Sequence, residues 1–74
     1  MNEHDCVVLT RSLPDHGLQV GDVGAIVHVY GEQQAFEVEF ISGNGRTVAV
    51  VTLKPGEVRQ LAESEILHAR RIPV

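Results

Sequence analysis

Seventy-four residues carrying ten acids against six bases, a net charge of −4, make one small domain and not two. The chain is 43% hydrophobic, which sets disorder aside, and no apolar run approaches the ~20 residues of a membrane-crossing helix. Net acidity argues against general binding to a phosphate backbone, which needs a clustered positive surface.

Cys6 is the single cysteine, so neither an intrachain disulfide nor an all-cysteine metal site can form. The opening residues MNEHD are polar and acidic, the opposite of a signal peptide's basic start, and a cytoplasmic location is expected. Charge divides unevenly. Residues 1–45 hold seven acids against Arg11 alone, whereas residues 46–74 hold three acids against five bases. A chain this short buries only about 60–65% of the surface its unfolded form exposes. Self-association would hide some of the remainder, so a homo-oligomer is among the expectations.

In chain order, Asp5–Thr10 (DCVVLT) is short, apolar and β-branched and predicts a first strand. A loop from Arg11 to Val20 follows, with a β-turn at Pro14-Asp15-His16-Gly17 and apolar anchors at Leu13, Leu18 and Val20. Gly21-Asp22-Val23-Gly24 is a tight turn whose glycines allow close backbone approach. It feeds a second strand, Gly24–Tyr30, with apolar residues on both faces, which predicts partial cover on both sides. Phe36, Val38 and Phe40 alternate with Glu37 and Glu39, a period of two with one buried face. The Asn44-Gly45 step predicts a hairpin into a fourth strand, Arg46–Leu53. Lys54-Pro55-Gly56-Glu57 ends that strand, because proline cannot donate to a ladder. Val58 and Leu61 fit either a short helical turn or a fifth strand. Ile66–Ile72 (ILHARRI) reads as a last extended segment closing the sheet. Five or six short, mostly antiparallel strands separated by glycine-rich turns imply a single small all-β barrel over residues 1–74.

A first strand, a long anchored loop, a Gly-Asp-x-Gly turn, three meandering strands and a break before the end resemble an SH3-like barrel. Residues 21–27 are also similar to the glycine-centred core of KOW motifs. A closer match covers residues 5 to about 59. Asp5–Thr10, Leu13-Pro14, Gly17-Leu18, Gly21–Gly24, Phe36–Phe40 and Val51-Thr52-Leu53 resemble a family of small bacterial proteins known as a domain of unknown function, DUF4926. Gln60–Val74 reads as an extension past that family's core. The resemblance implies a fold without an activity. Its members resemble companions of small toxin-like proteins in bacterial gene pairs, which implies a protein partner.

No constellation points to an enzyme. Cys6 lies beside Val7 and Val8, where an inert core thiol is expected. His4, His16, His28 and His68 lack the short spacings of zinc motifs, so no metal and no cofactor is expected. Asp22 places a carboxylate where a phosphate loop would bind its anion, and the lysine and following helix of such a loop are missing. Its expected task is hydrogen bonding to backbone amides of the turn. Glu37 and Glu39 form the solvent side of their strand, and they also offer an acidic strip for a basic protein partner. Arg70 and Arg71, with Arg59, form the basic cluster. Tyr30 is the aromatic expected at the surface. The residues singled out for protein contact are therefore Tyr30, Glu37, Glu39, Arg70 and Arg71, and those for turns are Gly21, Asp22, Gly24, Asn44 and Gly45. The leading expectation is a non-catalytic, antitoxin-like interaction module. The alternative is a KOW-like RNA-binding or ribosome-associated module, although RNA recognition asks for more positive charge and stacking aromatics than this chain carries.

Overall fold

The alternation of Phe36, Val38 and Phe40 with two glutamates sets the centre of the molecule. In the computed structural model, which describes residues 1–72, these three side chains are buried in the third of five strands. The strands are β1 (Cys6–Leu9), β2 (Val23–Tyr30), β3 (Ala35–Ile41), β4 (Thr47–Leu53) and β5 (Val58–Gln60). They form one sheet in the order β4-β3-β2-β1-β5, and every neighbouring pair is antiparallel. The expected all-β class with five short strands is what the chain adopts. No helix among the described residues is long and apolar enough to cross a membrane. The last two positions of the expected domain, 73 and 74, lie outside the described residues.

One core unites the sheet. Val7, Leu9, Ile26, Phe36, Val38, Phe40, Leu53 and Val58 pack together with Leu18 from the loop after β1. That loop carries a single 3-10 turn, Pro14–His16, closed by Gly17 at φ 69°, and a bridge between Leu13 and Leu18 on either side of it. Proline presets the first torsion and glycine takes the left-handed one, so the loop folds down and delivers Leu18 to the core. Val20, expected as a third anchor, is instead exposed, because the chain turns away there into Gly21 at φ 93°.

The two-faced apolar pattern of β2 has a different cause from the cover on both sides that its sequence suggests. Ile26 pairs with Val38 but His28 pairs with Glu37, so Val27 is the extra residue of a bulge. The bulge shifts the parity. Ile26 before it and Val29 after it face the core, while Val27, His28 and Tyr30 are exposed. A second irregularity between Phe40/Ala49 and Ile41/Thr47 leaves Val48 as the extra residue of β4.

The β3–β4 connection differs from a two-residue Asn-Gly turn. Gly45 alone takes a positive φ, 82°, and Ser42 and Arg46 close the loop through Ser42 N–H to Arg46 O at 2.8 Å. The Asn44 side-chain oxygen accepts from the Arg46 N–H at 3.2 Å and from the Ser42 hydroxyl, so asparagine shapes the loop through its side chain. Lys54–Glu57 does end β4, with a 3-10 turn over Pro55–Glu57 that leads into β5.

Two further expectations are corrected. Cys6 is exposed and not a core thiol. It begins β1 on the face opposite Val7, beyond the last β1–β5 pair, Val7 with Gln60, so no strand covers it. Ile66–Ile72 is not a closing strand. Residues 61–72 have no regular structure, because β5 pairs only with β1 and the chain then turns away.

Candidate functional site

Because β3 alternates, Glu37 and Glu39 point to the face opposite the core, and antiparallel register brings matching residues of β2 and β4 beside them. Glu37 lies between His28 on β2 and Thr52 on β4; Glu39 lies between Ala25 and Val50. The Tyr30 hydroxyl donates to Glu37 Oε2 at 3.4 Å, and the Thr52 hydroxyl donates to Glu37 Oε1. The Thr47 hydroxyl donates to Glu39 Oε2 at 2.6 Å. His28 meets Tyr30 edge-on, with ring centroids 4.6 Å apart. Tyr30 and Val50 expose 40% and 49% of their surface.

The result is a strip with a fixed geometry: two carboxylates held by neutral hydroxyl donors, an aromatic pair at one end and an exposed valine opposite Glu39. The ion pairs among the described residues are Arg11–Glu57, Arg59–Glu65 and Arg70–Asp22, and they include neither Glu37 nor Glu39. Neither carboxylate is therefore within ion-pair distance of a base among the described residues. Glu37 and Glu39 share one face, as the period-two reading implies, and Tyr30 joins them through its bond to Glu37. His28, Thr47, Val50 and Thr52 were not singled out. His28 was within reach of sequence reasoning, since it stands two residues before Tyr30 on the same strand. The β4 residues needed the cross-strand register.

Arg59 and Arg70 are each engaged by a carboxylate outside this strip. Arg59 makes a two-pronged pair with Glu65, its Nη1 and Nη2 donating at 2.8 and 2.7 Å. Arg70 is drawn to the turn before β2: its Nε donates to Asp22 Oδ1 at 2.7 Å, and its Nη2 donates to Asp22 Oδ2 and to the Gly17 carbonyl at 2.9 Å. Arg71 is exposed. Asp22 precedes β2 and Tyr30 ends it, which separates them by roughly 25 Å along the strand. Arg70 also donates through Nη1 to the Arg71 carbonyl at 3.0 Å, so these two neighbours stay in contact.

Asp22 does bond the backbone of its turn, accepting the Gln19 N–H at 2.8 Å. Burial pulls its carboxyl upward. The hydrogen bonds from Arg70 and Gln19, and the charge of Arg70, outweigh that and leave it below the ordinary value. Among the described residues, no three His, Cys, Asp or Glu side chains converge as a metal-binding set.

The family model described as "Domain of unknown function (DUF4926)" matches residues 3–60 of this chain. No curated protein and no solved structure matches it.

Proposed function

The chain belongs to the DUF4926 family, and since that family carries no assigned activity, we propose from the surface that the protein is a non-catalytic interaction module that docks a basic protein partner on its acidic strip. One observation carries the reading: Glu37 and Glu39 are held in place by Tyr30, Thr52 and Thr47, yet neither is in an ion pair. Fixed charges of one sign orient an incoming partner and raise its on-rate, and the tyrosine and valine beside them add apolar contact area. The resemblance to companions of toxin-like proteins suggests the partner's class, a small toxin-like protein encoded next to this one, which this domain would bind in an antitoxin-like role.

The architecture we read into the sheet is an SH3-like barrel. Supporting it are the order β4-β3-β2-β1-β5 and the 3-10 turn between the last two strands. Both end strands pair on one side only, which offers a route to homo-oligomers through edge pairing. The KOW-like alternative has the Gly21–Val27 resemblance in its favour, but the acidic strip of Glu37 and Glu39 would repel a phosphate backbone.

The test is a pull-down of the product of the neighbouring gene with the wild-type protein and with Glu37→Lys/Glu39→Lys. Capture by the wild type and loss in the variant are expected. Equal capture by both proteins, or none by either, contradicts the proposal. A salt-sensitive gel shift with mixed RNA would favour the alternative.

A further inference from the structure

Beyond β5 the chain leaves the sheet and runs past the stretch matched by the family model. Leu61 donates its N–H to the Cys6 carbonyl at 3.1 Å, and a turn follows in which Ala62 and Glu65 bond each other. Among the described residues, 66–72 then make no backbone hydrogen bond to the body. Ile66 is 92% exposed and Leu67 65%, so apolar burial does little to hold the start of this segment. Nevertheless it passes alongside the sheet. Leu67–Ile72 and residues of β2, β3 and β4, Phe40 and Val48 among them, enclose a groove of about 800 Å³.

Among the described residues, the segment's polar link to the body is one side chain. Arg70 makes its hydrogen bonds to Asp22 and to the Gly17 carbonyl, residues 48 and 53 positions away in sequence. The fork therefore ties three pieces: the tail, the end of the 3-10 turn at Pro14–His16 and the turn that starts β2. Both partners are largely withdrawn from water, with 23% and 15% of their side chains exposed. A planar, charge-assisted fork of this kind is specific in direction as well as strong.

We infer that residues 66–72 are a strap that closes one side of this groove, is latched by Arg70 on Asp22 and Gly17, and opens without unfolding the sheet. The strands are held by a continuous ladder and a shared core, whereas the strap is held by one fork and sparse apolar contact. Segments with few buried contacts open at a small fraction of the global stability. Opening uncovers the Phe40 and Val48 side of the groove while the ladder stays intact. This inference concerns the tail and does not depend on the acidic strip.

Backbone 15N relaxation on the full chain tests it, comparing wild type with Arg70→Gln and Arg70→Lys. In the wild type, residues 67–71 should show order parameters near the rigid value of about 0.85, and in Arg70→Gln they should fall below about 0.6, with β1–β5 unchanged. Arg70→Lys, which keeps the charge and loses the fork, should fall between the two. A strap that stays rigid in Arg70→Gln, or is already mobile in the wild type, overturns the inference. So does a variant in which strap and strands lose order together, or a lysine variant as ordered as the wild type.

Discussion

Gly24 is where a single missing atom matters most. A Cβ there would stand 2.9 Å from the Glu39 carbonyl oxygen and 2.7 Å from Val38 Cγ1, the first of them backbone that cannot step aside. Gly24→Ala is expected to destabilise the domain by about 1–3 kcal/mol, measured by denaturant unfolding. The two glycines of this turn thus serve different needs, Gly24 the close packing of β2 on β3 and Gly21 a positive φ of 93° with open space around it. At Glu65 the deciding feature is charge. Hydrogen bonds from Arg59, and then from the Ala62 N–H, bring its carboxyl down to about 2 from an ordinary 4.5. The folded value is depressed, so the contribution of this link to stability is complete above about pH 4.5 and fades as pH falls toward about 2. A carboxyl-detected NMR titration should find Glu65 near the lower value, and Arg59→Gln should return it toward the higher one. A wild-type Glu65 titrating near 4.5 would count against the fork.

At the scale of elements, β3 governs the fold. Its inward side chains meet partners from both neighbours: Phe36 lies opposite Val29 and Leu53, and Val38 opposite Ile26 and Val51. Phe36→Ala should cost about 3–5 kcal/mol, read from the shift in denaturation midpoint, because the ring is fully buried and the surrounding strands cannot close over the gap. Strict alternation over five residues made this strand, its buried face and the direction of Glu37 and Glu39 legible in the sequence. Other elements were not legible, for physical reasons. The bulge at Val27 depends on how β3 pairs with β2, and a strand read alone cannot show an inserted residue. The tail has an apolar and polar pattern compatible with a strand, but pattern cannot say whether a ladder partner exists; β5 is already the edge. The Arg70–Asp22 link joins residues 48 apart and leaves no local signal. The carboxylates that pair with Arg59 and Arg70 were likewise hidden, because the pairing of Arg70 spans most of the chain.

The whole molecule presents an acidic sheet face with an aromatic end, two strand edges and a tail tied down by its own arginine. Net charge of −4 and the unpaired pair Glu37/Glu39 agree in sign, so long-range steering and local docking favour the same kind of partner. The functional proposal rests on a partner that meets this acidic face. Its most direct test is calorimetric titration of the neighbouring gene's product into the wild-type protein and into Glu37→Gln/Glu39→Gln, at low and at physiological salt. Removing the two charges leaves the core face of β3 untouched, so the variant should remain folded. The account predicts saturable binding by the wild type, weakened by salt, and a loss of affinity of about tenfold or more in the variant, equivalent to about 1.4 kcal/mol. Equal affinities for the two proteins, insensitive to salt, would contradict it.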